Sequence, residues 1–386
     1  MLLPTLAKEQ TMTAPALLAP FTLARGHSAL SASGALTPVS ESSALETAAQ
    51  KNSCVVGLIP FSPEEPVYLV VPDSLVPTET PNLAIRQQPE PVRISGLDNP
   101  GYRQAVAQAV ESMNRGEYDK VVLARLLTAD YGNDLNLPAL LETLRAQQQR
   151  ATVFSVKLPN GEYLMGASPE LVFKSGADGF STGPLAGSAT RTAPIGSTED
   201  AQIGEALLRS AKDRAEHATV VQDIKQRLSP LALEMKIPAT PSLKMTPQLW
   251  HLGTDIAGTL KPGLSSLDGA RAIHPTPAIC GTPTELARRV IEKLEPFERG
   301  FFGGLVGYMD AEGNGEWHLV LRCARVSARR ATLFAGAGIV KDSAPMNEHA
   351  ETASKFDTFA RALGWDTASW AEKISLPAGG GALNDA

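Results

Sequence analysis

Four glutamates, a lysine and an arginine carry the side chains whose types and spacing could do chemistry in this sequence. Glu348 and Glu351 stand three residues apart in NEHAET, so a helix would put them on one face, and Glu216 lies in a second helical stretch, AKDRAEH. Were those helices to meet, two or three carboxylates would converge. Hard oxygen donors with open positions suit Mg2+, which prefers octahedral geometry and keeps some of its waters. Solvated charged helix faces account for the same glutamates. Lys120 opens the apolar run DKVVLARLL, where burial would favour the neutral amine that a general base needs. A strand-end lysine that simply reaches water is the alternative. Glu170, after the proline of GASPEL, sits between two predicted strands, where desolvation would raise its pKa towards that of a general acid; an exposed turn glutamate is the plainer reading. Arg322 interrupts the apolar HLVLRCAR and could grip a carboxylate with two parallel hydrogen bonds, or pair with an acid inside the fold.

Backbone can bind too. PLAGS at 184–188, the pair Gly303–Gly304 and FAGAGIV at 334–340 allow close approach to amides, although turns or bulges explain these glycines as well. Without a βαβ context the GxG is a weak dinucleotide signal. His274, in HPTPAICG, reads as a hydrogen-bonded structural histidine. No HExxH, P-loop or Ser/His/Asp signature competes with these residues.

The elements that must position them are mixed. Short β-branched runs at 54–61 and 67–71 predict strands, and Tyr102, Val106, Ala109, Val110 and Met113 share one helical face. A strand over 120–128, a helix over 138–147 and strands over 152–158, 163–166 and 171–174 follow. One long helix is predicted from 198 to 228, since Thr198, Glu199 and Asp200 supply first-turn chemistry and Ile203, Leu207, Ala211, Ala215 and Val220 continue an apolar face. Strands near 249–260, helices over 266–273 and 284–294, a strand-rich block over 303–340 and a last helix over 347–363 complete the chain. The first 48 residues, rich in Ala, Ser, Thr and Pro, predict irregular structure leading into a sheet. Helices interspersed with runs of strands argue against a simple Rossmann fold or TIM barrel.

Composition bounds the rest. With 386 residues, 43% hydrophobic and 20% charged, most of the chain should fold. A net charge of −6 provides no general attraction for nucleic acid or anionic lipid, so an anionic ligand needs cations placed locally. Three scattered cysteines, Cys54, Cys280 and Cys323, make neither a disulfide framework nor a CxxC metal site and fit a reducing cytosol. The proline-broken start lacks a signal-peptide core, and no apolar run spans a bilayer, so a soluble cytoplasmic protein is expected.

Taken together and in order, DKVVLAR, GASPEL, PLAGSATR, AKDRAEH, HPTPAICG, LEPFERGFFGGLVGY, GNGEWHLVLRC, FAGAGIV and NEHAET resemble the chorismate-utilising enzymes, from about residue 118 to the end of the last helix. That resemblance implies one large α+β domain with two packed antiparallel sheets surrounded by helices. Residues 1–95 would be its N-terminal part, 96–368 the chorismate-binding catalytic region and 369–386 a flexible tail. It implies Mg2+ as cofactor, with Glu216 and Glu351 as ligands and Glu348 contributing through water. Arg322, Lys355 and the backbone around Gly187, Ser188, Ala278 and Gly336 would bind substrate. Lys120 matches the base that activates water for attack at ring C2, and Glu170 the acid that protonates the departing C4 hydroxyl, which makes isochorismate from chorismate. Ala186 stands where aminodeoxychorismate synthases resemble one another in carrying lysine, and Lys120 where ammonia-using relatives lack it, so neither an ammonia reaction nor a glutaminase subunit is expected. Leu321 beside Arg322 departs from the tyrosine of salicylate synthases, which remain the alternative, with an inactive chorismate-binding subunit further off. The short N-terminal region is siderophore-like, and a monomer is expected.

Overall fold

The computed structural model describes residues 18–79, 87–245 and 249–367. Its helices are α1 Ala44–Lys51, α2 Pro100–Asn114, α3 Leu137–Gln147, α4 Thr198–Arg209, α5 Ala211–Leu228, α6 Ser266–Ile273, α7 Thr284–Leu294 and α8 Pro345–Ala362. Local sequence starts several of them. Asn99 accepts from the Tyr102 amide at 2.9 Å with Pro100 next in line, so α2 begins where an orphan amide finds a cap and the missing proline N–H costs nothing.

Period-2 alternation builds the sheets. On the strand Thr152–Lys157, Val153 packs outward against helices while Phe154 points into the interior, and Met165 and Leu164 divide in the same way on Tyr163–Ser168. All the pairings among the described strands are antiparallel. Lys120–Tyr131 pairs with Arg330–Ile339 over ten residues, and pairing continues through Cys323–Val326, Tyr163–Ser168 and Thr152–Lys157 to Phe21–Arg25. A hairpin to Ser28–Val39 carries it into a second half made of Tyr68–Glu79, Val55–Ile59, Leu305–Met309, Gly315–Leu319 and Leu171–Gly176. Seventeen described strands thus join laterally. The two halves share one interior, with Phe154, Leu164, Cys323 and Phe334 from the first meeting Val56, Val70 and Val306 from the second. Each fully buried large apolar side chain there contributes roughly 1.5–3 kcal/mol. α3 and α8 cover the outer face of the first half, and α1, α5 and α6 that of the second. This is the expected α+β domain of antiparallel sheets and helices.

The halves also interleave in sequence. Val55–Ile59 pairs with Leu305–Met309, and Pro91–Ser95 with Lys120–Tyr131, so strands on either side of residue 95 lie side by side.

Three expectations differ from the structure. The leading segment is not irregular where it is described: residues 21–25 and 28–39 are strands and 44–51 a helix. Ala and Ser alternate there with too little hydropathy contrast to reveal a strand, yet Phe21, Leu23, Ala24, Ala29 and Ala32 are buried. The single helix over 198–228 is two, broken at Ser210, whose extended backbone (φ −61°, ψ 114°) lets its hydroxyl accept from the Asp213 amide. A serine gains more as a cap than inside a helix, so the chain turns there. The run near 249–260 also divides. Leu249–Gly253 lies between Leu185–Thr190 and Ser242–Met245 in a small three-stranded sheet, whereas Ile256–Leu260 joins the large one. The expected tail, 369–386, and the first 17 residues lie outside the described residues. Among those described, no helix is long and apolar enough to cross a membrane.

Candidate active site

Lys120 starts the strand that pairs with Arg330–Ile339, and its side chain passes over Gly338: a Cβ at 338 would lie 3.1 Å from Lys120 Cε. Glycine there leaves the lysine its path. Lys120 Nζ donates to Glu216 Oε1 at 2.9 Å, so α5, broken away from α4 at Ser210, brings a residue 96 positions distant onto the base candidate. On α8, one turn apart, Lys355 Nζ reaches Glu351 Oε1 at 2.6 Å and the Gly336 carbonyl at 2.7 Å. Burial pulls the Lys355 pKa down, against the opposing charge of Glu351. Gly336 and Gly338 are two residues apart on one strand, about 7 Å at strand rise, so both lysine–glutamate pairs reach the same short stretch of sheet.

Arg322 takes a left-handed backbone (φ 48°), a costly conformation for a side-chain-bearing residue. Its guanidinium feels the Glu351 charge, burial lowers its pKa, and among the described residues no hydrogen bond or ion pair holds it. A five-donor fork is therefore free for an incoming anion. The Ala167 amide donates to the Arg322 carbonyl at 3.3 Å, which ties Arg322 to the hairpin carrying Glu170. Glu170 is fixed through its backbone: its amide donates to Ser168 Oγ at 3.3 Å, and its carbonyl accepts from the Leu319 amide at 3.1 Å. Its side chain is half-buried, and this desolvation pushes its pKa up to about 7. A carboxylic acid half protonated near neutrality can give a proton.

The backbone candidates lie around these groups. A bulge in Leu185–Thr190 gives Gly187 φ +79° and sets it against Asp213, three residues before Glu216 on α5. Ser188 is paired across the small sheet with His251. Ala278 belongs to the loop whose Cys280 carbonyl accepts from the Val122 amide at 2.9 Å and whose Thr282 stands opposite Lys120. Gly187 thus lies against α5, Ala278 in the loop beside Lys120, and Ser188 opposite His251. The metal set is not gathered: among the described residues no three His, Cys, Asp or Glu side chains come close enough together to hold an ion.

The family model for chorismate binding enzymes matches residues 74–364. The chain belongs to the chorismate-binding enzyme family. It is 39% identical over 330 residues to isochorismate synthase EntC of Escherichia coli K12, covering 81% of this chain and 82% of EntC. Against isochorismate synthase DhbC of Bacillus subtilis it is 37% identical over 330 residues, 82% of each. A solved Bacillus anthracis structure, assigned as the 2,3-dihydroxybenzoate-specific isochorismate synthase DhbC, matches with a TM-score of 0.80 at 35% identity, over 90% of this chain and 96% of that one.

Within this chorismate-binding enzyme, His251 lies among the candidate residues, opposite Ser188 and near Arg322, and sequence reasoning missed it. It lies half-buried, its pKa lowered by burial and then by Arg322, and its ring has no hydrogen-bond partner among the described residues. The only signal was a histidine inside the apolar LWHLG. His274 is structural, as expected: its Nε2 meets the Gly303 carbonyl at 2.7 Å, and burial drops its pKa to about 4. The carboxylates suit a hard cation. Glu348 is raised by burial and further by Glu351, a repulsion that a divalent ion would relieve, and every donor in the set is oxygen.

Proposed function

We propose that this chorismate-binding enzyme is an isochorismate synthase. The observation that carries the reading is the contrast between Glu170, a half-buried carboxyl with its pKa pushed up to about 7, and Lys120, an amine whose one side-chain contact among the described residues is an exchangeable one to Glu216. One can give a proton and the other, once released and deprotonated, can take one. Lys120 accepts a proton from water as its oxygen bonds to ring C2, the ring double bond shifts, and Glu170 protonates the C4 hydroxyl, which leaves as water. One water enters and one departs, so the product is an isomer. Arg322, Lys355 and the amides around Gly187, Ser188, Ala278 and Gly336 receive the substrate's carboxylates. Glu216 and Glu351, with Glu348 assisting, would hold Mg2+, which when bound supplies positive charge for the ring carboxylate.

The names of the relatives, isochorismate synthases in each case, support this reaction, and the 2,3-dihydroxybenzoate specificity named for the B. anthracis protein supports a catecholate siderophore as its destination. The enzyme would work as a cytoplasmic monomer without a glutaminase partner. Product analysis with chorismate and Mg2+ tests the proposal. Isochorismate alone is expected; salicylate with pyruvate would make the chain a salicylate synthase, an aminated product with excess ammonia would reverse the choice of nucleophile, and no turnover would leave a binding subunit. EDTA should abolish the activity and Mg2+ restore it.

A further inference from the structure

We propose that Arg125 is a positioning residue which, through Thr352, sets the rotation of α8 and so the aim of Glu348, Glu351 and Lys355; this rests on the roles proposed above for those three. Arg125 is 2% exposed and has no carboxylate partner among the described residues. Its donors go to neutral oxygens instead: Nε to Thr352 Oγ1 at 2.7 Å, Nη1 to the Gly96 carbonyl at 2.6 Å and Nη2 to the His349 carbonyl at 3.4 Å, with the guanidinium 5.0 Å from the centre of the Phe356 ring. A buried cation is costly, and an apolar residue would fill the space without that cost. What only the guanidinium supplies is a rigid fork that ties a strand, a loop and a helix at fixed angles.

The register on α8 gives those ties their meaning. Arg125 meets His349, Thr352 and Phe356; the residues one position earlier are Glu348, Glu351 and Lys355. Two faces of one helix, about 100° apart, are therefore locked together, one to the core and one to the site. Arg125 also belongs to the strand that begins with Lys120, so it references the metal and substrate helix to the base. Turning α8 by about 20° would sweep a carboxylate at its rim by about 2 Å. Misplacement by about 1 Å can cost on the order of 100-fold in rate. The Thr352 hydroxyl both accepts from Arg125 and donates to the His349 carbonyl at 2.7 Å, which makes it the joint to test.

Thr352→Val keeps the shape and removes the hydroxyl; Thr352→Ser restores it. Val153→Ala truncates a core residue on another strand and serves as the control for stability alone. Crystal structures, thermal melts, kcat and KM for chorismate, and Mg2+ titration by calorimetry are compared with wild type. We expect Thr352→Val to rotate α8, lower kcat at least about tenfold with little change in KM, and weaken Mg2+ binding. Thr352→Ser should recover kcat, and Val153→Ala should lower Tm without a matching loss of kcat. An unrotated α8, wild-type kcat despite rotation, or a kcat loss matched by Val153→Ala at equal loss of Tm would overturn the assignment. A wild-type protein inert towards chorismate would defeat the proposed reaction instead, and α8 rotation in the crystals would still decide for or against Arg125.

Discussion

The strand Lys120–Tyr131 meets two kinds of cation–carboxylate pair within five residues. At Val122 and Ala124 it meets Glu295 and Arg299, side chains each 3% exposed. Glu295 Oε1 accepts from the Ala124 amide at 2.7 Å, Arg299 Nη2 donates to the Val122 carbonyl at 2.7 Å and Nε to Glu295 Oε2 at 2.9 Å, and the guanidinium lies 4.4 Å from the centre of the Phe61 ring. Every direction is filled. At Lys120 a single 2.9 Å contact to Glu216 joins side chains 20% and 41% exposed, and the Lys355–Glu351 pair is as open. The same charges therefore occur in two settings: sealed pairs hold the architecture, and open pairs are the ones to which the proposed reaction would assign ligands and a base.

The largest effect should come from emptying the open region of its chemistry. Lys120→Ala and Glu170→Ala should each lower kcat by about 10²–10⁴-fold with much smaller changes in KM, because acid or base assistance acts in the transition state. The double variant should fall short of additivity if both protons move in one step. Steady-state kinetics decide this, and near-normal turnover by Lys120→Ala would return that lysine to a structural role.

The next effect separates the two kinds of pair by stability. Glu295→Gln strands the buried Arg299 and should cost on the order of 3–5 kcal/mol in urea unfolding, a large fraction of a typical domain's stability. Glu216→Gln opens a pair already facing water and should stay within about 1 kcal/mol of wild type, while raising the Mg2+ concentration needed for activity. Equal destabilisation by the two would erase the distinction between them.

How much of this could be read in the sequence follows the same divide between local and distant. The α2 face of Tyr102, Val106, Ala109 and Met113 is buried as its spacing predicts, and DKVVLARLL is a strand, because periodicity records which side faces the core. The strands at 21–25 and 28–39 were hidden because Ala and Ser contrast too little in hydropathy, and Ser210 was hidden because helical spacing runs on across it. At the site, Lys120 and Arg322 stood out as charges set in apolar runs, whereas Glu170, after the proline of GASPEL, read most plainly as an exposed turn glutamate. The partnerships did not stand out: Lys120 with Glu216 and Arg125 with Thr352 join residues 96 and 227 positions apart, and no local pattern encodes such contacts. His251 escaped for the same reason, since its meaning lies in Arg322 nearby and Ser188 opposite.

The smallest effect has the most informative sign. Glu170 in the fold has its pKa raised by burial from the ordinary 4.5 to about 7. The folded state therefore holds the proton more tightly than the unfolded chain, so the stability this group contributes is complete below about pH 4.5 and is lost as pH rises through about 7. Above that, the fold carries a desolvated carboxylate. Glu170→Gln stays neutral throughout, so its stability relative to wild type should improve between pH 4.5 and pH 8. The shift bounds the gain near 3 kcal/mol at about 1.4 kcal/mol per unit, and the partial exposure of the side chain brings the expected value to the order of 1 kcal/mol. The same carboxyl must be protonated to act as the acid, so wild-type kcat/KM, which reports the free enzyme, should fall on the alkaline side with an apparent pKa near 7, and the variant, with its acid removed, should lose that limb along with most of its rate. Thermal melts at the two pH values, set beside the pH–rate profile, test both consequences of one desolvated group. A stability difference that ignores pH would mean that Glu170 is solvated, and the open region would then have to find its acid elsewhere, with His251 the next group to replace.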